Sequence, residues 1–130
     1  MSRFNKHKRV LLRLLSAYCP SAYYLLCPPD AGFPRVAYEL KQLNVEGYPY
    51  EKYILTLDCY DKGQMEDADA FIDDLITHVD GSVLYTDDFY YQFYYQKDRQ
   101  PIAEADKNLK RIRLTFEVRI YVRSDNECPQ

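Results

Sequence analysis

The chain has 130 residues, 47% hydrophobic and 28% charged, which suits one globular domain and leaves little room for a second. Its formal net charge of −3 argues against strong binding to nucleic acid or to a membrane surface, and no apolar run approaches the length of a transmembrane helix. The 14 Tyr and 6 Phe, with no Trp, are unusual, because Tyr suits surfaces that are wet in one state and buried in another.

The first predicted element is a helix over residues 4–18, which Pro20 ends. Apolar residues recur at helical spacing along one side of it: Val10, Leu11, Leu14, Leu15 and Tyr18. Three segments bounded by turn residues then predict strands, at 22–27, 35–43 and 51–60. Because only a turn at 44–50 separates the last two, we expect them to form an antiparallel hairpin.

A second amphipathic helix is predicted over residues 65–79, with Gly81 at the position where a left-handed cap is favoured. Its apolar stripe consists of Met65, Ala68, Ile72, Leu75, Ile76 and Val79. Residues 82–97 are strand-like and rich in Tyr and Phe. Successive strand residues point to opposite faces, so one Tyr of each doublet in this segment must meet a second surface. Residues 97–108 are polar and predict a long loop.

The last strand, over about 110–123, gives the clearest pattern in the chain. Its apolar residues alternate with polar and basic ones and define one core face: Ile112, Leu114, Phe116, Val118, Ile120 and Val122. The order of elements predicts an α+β fold, a mostly antiparallel β-sheet with two helices packed on one face. We expect a single domain over 1–130, with an ordered core of about 4–123 and a loose tail over 124–130.

The sequence offers little that indicates catalysis. No glycine-rich phosphate loop, nucleophile elbow or zinc-protease motif is present, and we predict no catalytic, cofactor-binding or metal-binding residues. The isolated candidates fit structural roles better than catalytic ones. Asp69 and Asp73 fit solvated carboxylates of a helix, and Asp87 and Asp88 fit a turn. His78 fits a helix C-terminus, and Cys59 fits a thiol in the core. The cysteines Cys19, Cys27, Cys59 and Cys128 lack metal-site spacing, and we expect four free thiols in a reducing compartment.

Four pieces of the sequence, in this order, resemble the phage tail-terminator and tail-completion proteins, which close a tail tube or join it to the head. The pieces are the loop and strand from Pro28 to Leu40, the strand from Tyr53 to Gly63, the helix from Met65 to Val79, and the alternating strand from Arg111 to Tyr121. The resemblance covers roughly residues 4–123 and rests on the order of elements, since no single signature motif carries it.

The resemblance implies a helix-covered antiparallel sheet whose copies form a homo-oligomeric ring, often a hexamer. It also implies docking on tail-tube and head-completion proteins, a place in the virion after assembly in the bacterial cytoplasm, and no enzymatic activity. Another minor virion role remains open. So do two functions of other classes: a single-stranded nucleic-acid-binding module that uses an aromatic sheet face, and an enzyme whose site forms between subunits.

Two features predict where such a subunit would bind its partners. Paired aromatic residues need a second surface, and the basic last strand could meet the acidic second helix of a neighbouring subunit. The predicted interface residues are Tyr91, Tyr95, Arg113 and Arg119, with the 97–108 loop reaching a partner.

Overall fold

The computed structural model describes residues 2–43 and 49–123. Their elements, in chain order, are α1 (Arg3–Ser16), β1 (Ser21–Tyr24), β2 (Arg35–Leu43), β3 (Glu51–Lys62), α2 (Met65–Val79), β4 (Val83–Tyr85), β5 (Phe89–Tyr95), β6 (Gln100–Ile102) and β7 (Leu109–Val122). Most of the turn predicted at 44–50, and all of the tail predicted at 124–130, lie outside the described residues.

The seven strands form one sheet in the order β1-β2-β3-β7-β5-β4, and β6 pairs with β7 beyond the end of β5. All pairs are antiparallel except β1 with β2, which is parallel. The predicted α+β class, with a mostly antiparallel sheet, is confirmed. The predicted hairpin of β2 and β3 is also confirmed, with Val36 opposite Cys59 and Leu40 opposite Leu55.

The alternation in β7 determines which side of the sheet is buried. Ile112, Leu114, Phe116, Val118 and Ile120 are all buried, and they belong to one core cluster with residues of both helices. We call this helix-covered side the inner face. Burying a ring such as that of Phe116 removes most of its apolar area from water, and the hydrophobic effect stabilises the fold accordingly. The predicted core face of β7 is therefore confirmed, and α2 buries residues in the same core cluster.

Each helix buries most of the stripe that its sequence predicts, but Met65 at the start of α2 is exposed and Tyr18 lies beyond the end of α1. The hydroxyl of Ser2 accepts a hydrogen bond from the Asn5 amide at the start of α1, and this cap satisfies one of the free helix N–H groups. The buried residues of the two helices are His7, Val10, Leu11 and Leu15 in α1, and Ala68, Ile72, Leu75 and Val79 in α2. Gly81 follows α2 with φ +76°, the left-handed conformation expected for it.

The structure corrects three segment predictions. The first strand ends at Tyr24, because Leu25 has φ +68° and leaves the extended conformation. The aromatic segment 82–97 is a hairpin of β4 and β5 that turns at residues 86–88. The predicted 97–108 loop contains β6, so residues 97–99 belong to the connection from β5 to β6, and residues 103–108 connect β6 to β7.

Candidate protein interface

Among the described residues, no helix covers the side of the sheet opposite α1 and α2. We call this side the outer face. Its side chains come from alternate residues of the strands, for example Lys52 and Thr56 of β3 and Glu117 of β7, and most of them are half-buried by their neighbours. A sheet with one solvated face is ordinary in antiparallel folds, so the composition of that face decides whether it suits a partner.

The register of β5 shows which member of each tyrosine doublet reaches the outer face. Tyr91 lies opposite Ile120 and is fully buried in the core, so its prediction as a surface interface residue is wrong. Tyr95 points to the same side, and its ring packs against Phe116 with the centroids 5.6 Å apart. Tyr90 and Tyr94 therefore carry the exposed role. The two tyrosines of each doublet meet different surfaces, as predicted, but the first tyrosine of each doublet faces outward, whereas the second one was predicted to do so.

The positions of the phenylalanines in β5 could have identified which set of alternate residues is buried. Phe89 and Phe93 share the strand phase of Tyr91 and Tyr95, so this phase is the more apolar one. The opposite phase contains Gln92 between its two tyrosines.

A row of aromatic rings crosses the outer face at the β4 side of the sheet. The rings of Tyr90 and Tyr121 stack almost in parallel, with centroids 4.5 Å apart and an interplanar angle of 5°. Tyr85 continues the row on one side at 5.7 Å, and Tyr50 continues it on the other at 5.2 Å. Tyr85 keeps 64% of its surface exposed, so the row ends in an accessible ring at the edge strand. Such a row offers a flat contact surface with few rotatable bonds to order.

Arg119 of β7 lies beside this aromatic row on the outer face. Its guanidinium lies 4.7 Å from the Tyr94 ring centroid and 5.0 Å from that of Tyr50. Its Nε donates a 2.6 Å hydrogen bond to Glu117, whose other carboxylate oxygen is 3.4 Å from Lys52 Nζ. Burial would raise the pKa of Glu117, but these two cations outweigh it and hold the pKa below its usual value. Arg119 is thus an ordered part of the outer face.

A second charge cluster occupies the outer face toward β6. Arg113 donates from Nε and Nη2 to the two carboxylate oxygens of Asp58, at 2.9 and 3.1 Å. Arg111 donates to Asp58 at 3.2 Å and to Glu104 at 3.2 Å. Burial alone would raise the pKa of Asp58, but the hydrogen bonds from Arg113 and Arg111 dominate and lower it. The basic strand face expected from the sequence is therefore largely neutralised by carboxylates of the same chain.

The acidic pair on α2 has a partner that the sequence did not reveal. Arg99 lies 2.7 Å from the carboxylate of Asp69 and 2.5 Å from that of Asp73. The neighbouring Asp98 accepts hydrogen bonds from the backbone amide and the hydroxyl of Thr115. These contacts tie the segment between β5 and β6 to the chain's own helix and sheet. The first half of the 97–108 loop is thus held by its own chain, and its contact with a partner stays a prediction.

The other isolated candidates have structural surroundings. His78 Nδ1 lies 2.8 Å from the carbonyl of Asp74, and its ring packs on Tyr18. Cys59 is buried, which raises the pKa of its thiol, and the described cysteines Cys19, Cys27 and Cys59 are free. Cys128 lies outside the described residues. Within residues 2–43 and 49–123, no group of His, Cys, Asp and Glu side chains could hold a metal ion, and no helix is long and apolar enough to cross a membrane.

The sequence also did not predict a buried polar cluster that lies beneath α1. His7 is fully buried, its Nδ1 lies 2.9 Å from the hydroxyl of Tyr91, and its Nε2 lies 3.6 Å from Glu51. Tyr53 donates a 2.7 Å hydrogen bond to the same carboxylate, which also pairs with Arg3. Burial is the main cause that lowers the pKa of His7. The ring packs edge-on against Tyr53, Phe89 and Tyr91, an arrangement that anchors the helix.

Comparison with known proteins gives a structural match. No protein-family model matches the chain, and no curated protein sequence matches it. The fold is similar to that of a chain in a solved structure described as the "Virion of native gene transfer agent (GTA) particle". The TM-score is 0.59 at 14% sequence identity, over 82% of this chain and 84% of that chain. At this identity the match shows a shared fold that extends over most of both chains.

Proposed function

We propose that this protein is a structural subunit of a phage-like virion and has no enzymatic activity. The observation that carries the proposal is the fold shared with a chain of a gene transfer agent virion over 82% of this chain and 84% of that one. The resemblance of the sequence to phage tail-completion proteins, reached from different features, supports the same class. The charged and aromatic outer face, with its side chains already ordered, supports a role in contacts between proteins.

Within that class, we propose the role of a tail terminator or tail-completion subunit that forms a ring and joins the tail tube to the head. The two edge strands, β1 and β4, lie at opposite ends of the sheet, so a copy can offer different surfaces to its two neighbours. Exposed apolar residues occur at both ends: Leu26 with 82% of its surface exposed after β1, and Tyr85 with 64% in β4. Unlike surfaces at opposite ends support head-to-tail contacts, which close into rings.

We propose that the outer face binds other virion proteins through Tyr90, Tyr94 and Arg119, with Arg113 at its far side. Tyr90 and Tyr94 replace Tyr91 in the predicted interface because they reach the surface. Tyr and Arg are the residues that most often dominate binding at protein interfaces. Their contacts with one another hold them in position, so little side-chain entropy is lost when a partner binds.

The proposal is tested in cells that produce the particles. An epitope-tagged chain should copurify with intact virions and be detected in them by mass spectrometry. A chain carrying Tyr90→Ser and Tyr94→Ser should keep its circular-dichroism spectrum but leave heads and tails unjoined in electron micrographs. The matched control is Tyr18→Ser, a half-buried tyrosine that follows α1 and packs on His78, away from the outer face and from both edge strands.

Absence of the tagged wild-type chain from purified virions would contradict the virion assignment itself. Normal joining by the double variant would contradict the assigned outer face while leaving the virion assignment intact. A purified chain that stays monomeric and binds single-stranded oligonucleotide through Tyr90 and Tyr94 would favour the nucleic-acid alternative, in which the tyrosine rings stack on bases.

A further inference from the structure

The two helices on the inner face carry opposite charge. In α1 every ionised side chain is a cation, apart from the titratable His7: Arg3, Lys6, Lys8, Arg9 and Arg13. In α2 every ionised side chain is a carboxylate, apart from the titratable His78: Glu66, Asp67, Asp69, Asp73 and Asp74. A solvated helix usually mixes both signs, because opposite charges three or four residues apart stabilise it. Only His78 and Asp74 of α2, 3.4 Å apart, form such a pair among the described residues, so most of the charge on the two helices faces other groups.

Part of this charge is neutralised within the chain. Arg3 pairs with Glu51, and Lys6 lies 3.6 Å from Asp88. On α2, Arg99 binds Asp69 and Asp73.

The unneutralised charges form a stripe on each helix. Arg9 and Arg13 are exposed four residues apart, and no described carboxylate forms an ion pair with either. Asp67 and Asp74 are exposed seven residues apart and therefore lie on one side of α2. Neither pairs with a Lys or Arg among the described residues, and Asp74 lies 3.4 Å from the titratable His78. We call these two surfaces the basic stripe and the acidic stripe.

The shapes of the two stripes are also complementary. Leu12 lies beside Arg9 and Arg13 and keeps 38% of its surface exposed. Ala70 is exposed between Asp67 and Asp74, and its small side chain leaves room for a neighbouring helix to approach. Two helices pack when the ridge of one enters the groove of the other. A Leu flanked by cations on one helix thus fits an Ala flanked by carboxylates on the other.

We propose that the basic stripe of α1 in one copy packs against the acidic stripe of α2 in a second copy. This inference rests on the proposed function and identifies the surfaces through which its subunits self-associate. A second copy fits these stripes better than nucleic acid does, because each chain supplies both halves of the contact. In addition, the net charge of −3 would repel phosphates from the rest of the molecule.

Charge reversal tests the contact directly. Variant A carries Arg9→Glu and Arg13→Glu, so both of its stripes are acidic; variant B carries Asp67→Lys and Asp74→Lys, so both are basic. Each should remain monomeric by light scattering at concentrations where the wild type associates, with self-association weakened about tenfold or more. In an equimolar mixture every contact between A and B joins opposite charges, so assembly should return. Lys41→Glu with Lys107→Glu is the matched control, since both residues are exposed and lie outside the helices.

Circular dichroism and the melting temperature verify that A and B remain folded before association is compared. Recovery of assembly in the mixture supports the α1–α2 contact. If charge reversal had misfolded the chain or removed a nucleic-acid-binding surface, adding the variant of opposite charge would not restore assembly. Assembly of A alone or B alone, failure of the mixture, or a wild type that is monomeric at all concentrations overturns the inference. Each of these outcomes leaves the virion proposal standing, because that proposal depends on the tagged chain in purified particles.

Discussion

The hydroxyl of Tyr91 and the Nδ1 atom of His7 lie 2.9 Å apart and join β5 to α1 inside the core. Both side chains are fully buried, so each satisfies a polar group that would otherwise lose its hydrogen bonds to water. Burial also raises the pKa of Tyr91 to about 12. The tyrosine that the sequence favoured for the surface is thus one of the residues that hold the first helix on the sheet.

Replacing Tyr91 with Phe should destabilise the protein although the ring remains. The change leaves His7 Nδ1 buried without a partner, and we expect the free energy of unfolding to fall by about 1–3 kcal/mol. Tyr90→Phe is the control, because its ring lies on the outer face and the same change there should cost less than about 0.5 kcal/mol. Urea unfolding of both variants gives the comparison. Equal losses would contradict the assignment of Tyr91 to the core.

The protein should lose stability on mild acidification through His7. Its folded pKa lies below the ordinary value of 6.5, so below about pH 6.5 the unfolded chain binds more protons than the folded one. Stability is therefore fully present above that pH and declines as the pH falls toward the folded pKa.

The melting temperature measured from about pH 7.5 to 5.5 should fall for the wild type. It should fall less for His7→Phe, which has a lower starting stability but no titrating group at this position. An unchanged slope in the His7 variant would exclude this histidine as the cause.

Asp58→Asn should destabilise the protein at neutral pH by about 1–2 kcal/mol, since it weakens the hydrogen bonds to Arg113 and Arg111 at a partly exposed site. The folded pKa of Asp58 is below its ordinary value of 3.8, so its contribution is present above that pH and is lost as the pH falls through the folded pKa. The difference from wild type should therefore shrink in chemical unfolding at about pH 3. A difference independent of pH would point to lost packing in place of lost charge.

Replacing Arg99 with Gln should loosen the connection between β5 and β6 without unfolding the sheet. The change removes the contacts with Asp69 and Asp73, and we expect less than about 1 kcal/mol of global destabilisation because these carboxylates are exposed. Hydrogen exchange of the amides of residues 96–102 should become faster, as local opening costs less. Lys97→Gln is the matched control, an exposed cation two residues away, and it should leave these rates unchanged.

The sequence predicts the buried face of an element correctly when the spacing of the apolar residues within that element is enough to identify the face. The strict alternation in β7 and the helical stripe of α2 each identify one face without reference to the rest of the chain. In β5 both phases contain aromatic rings, and the pairing with β7 decides between them by placing Tyr91 beside Ile120 in the core.

The neutralisation of the predicted interface arginines follows from contacts that are distant in sequence. Arg113 meets Asp58 because β3 and β7 pair in one particular register, and that register depends on the burial of both strands. Similarly, Arg99 reaches α2 only after β5 has been positioned. Local patterns indicate which residues are charged, and the assembled sheet determines which of those charges face a carboxylate of the same chain.

The position of β7 in the sheet has a consequence for synthesis on the ribosome. This strand pairs with β3 on one side and with β5 and β6 on the other, yet it is the last of the described strands to be made. Until it emerges, the β1–β3 and β4–β5 units have no shared neighbour, and the backbone N–H and C=O groups along one edge of β3 lack the strand with which they pair. The nascent chain therefore completes its core only after residue 122 has left the exit tunnel, and a chaperone that shields β3 until then would increase the yield of folded protein.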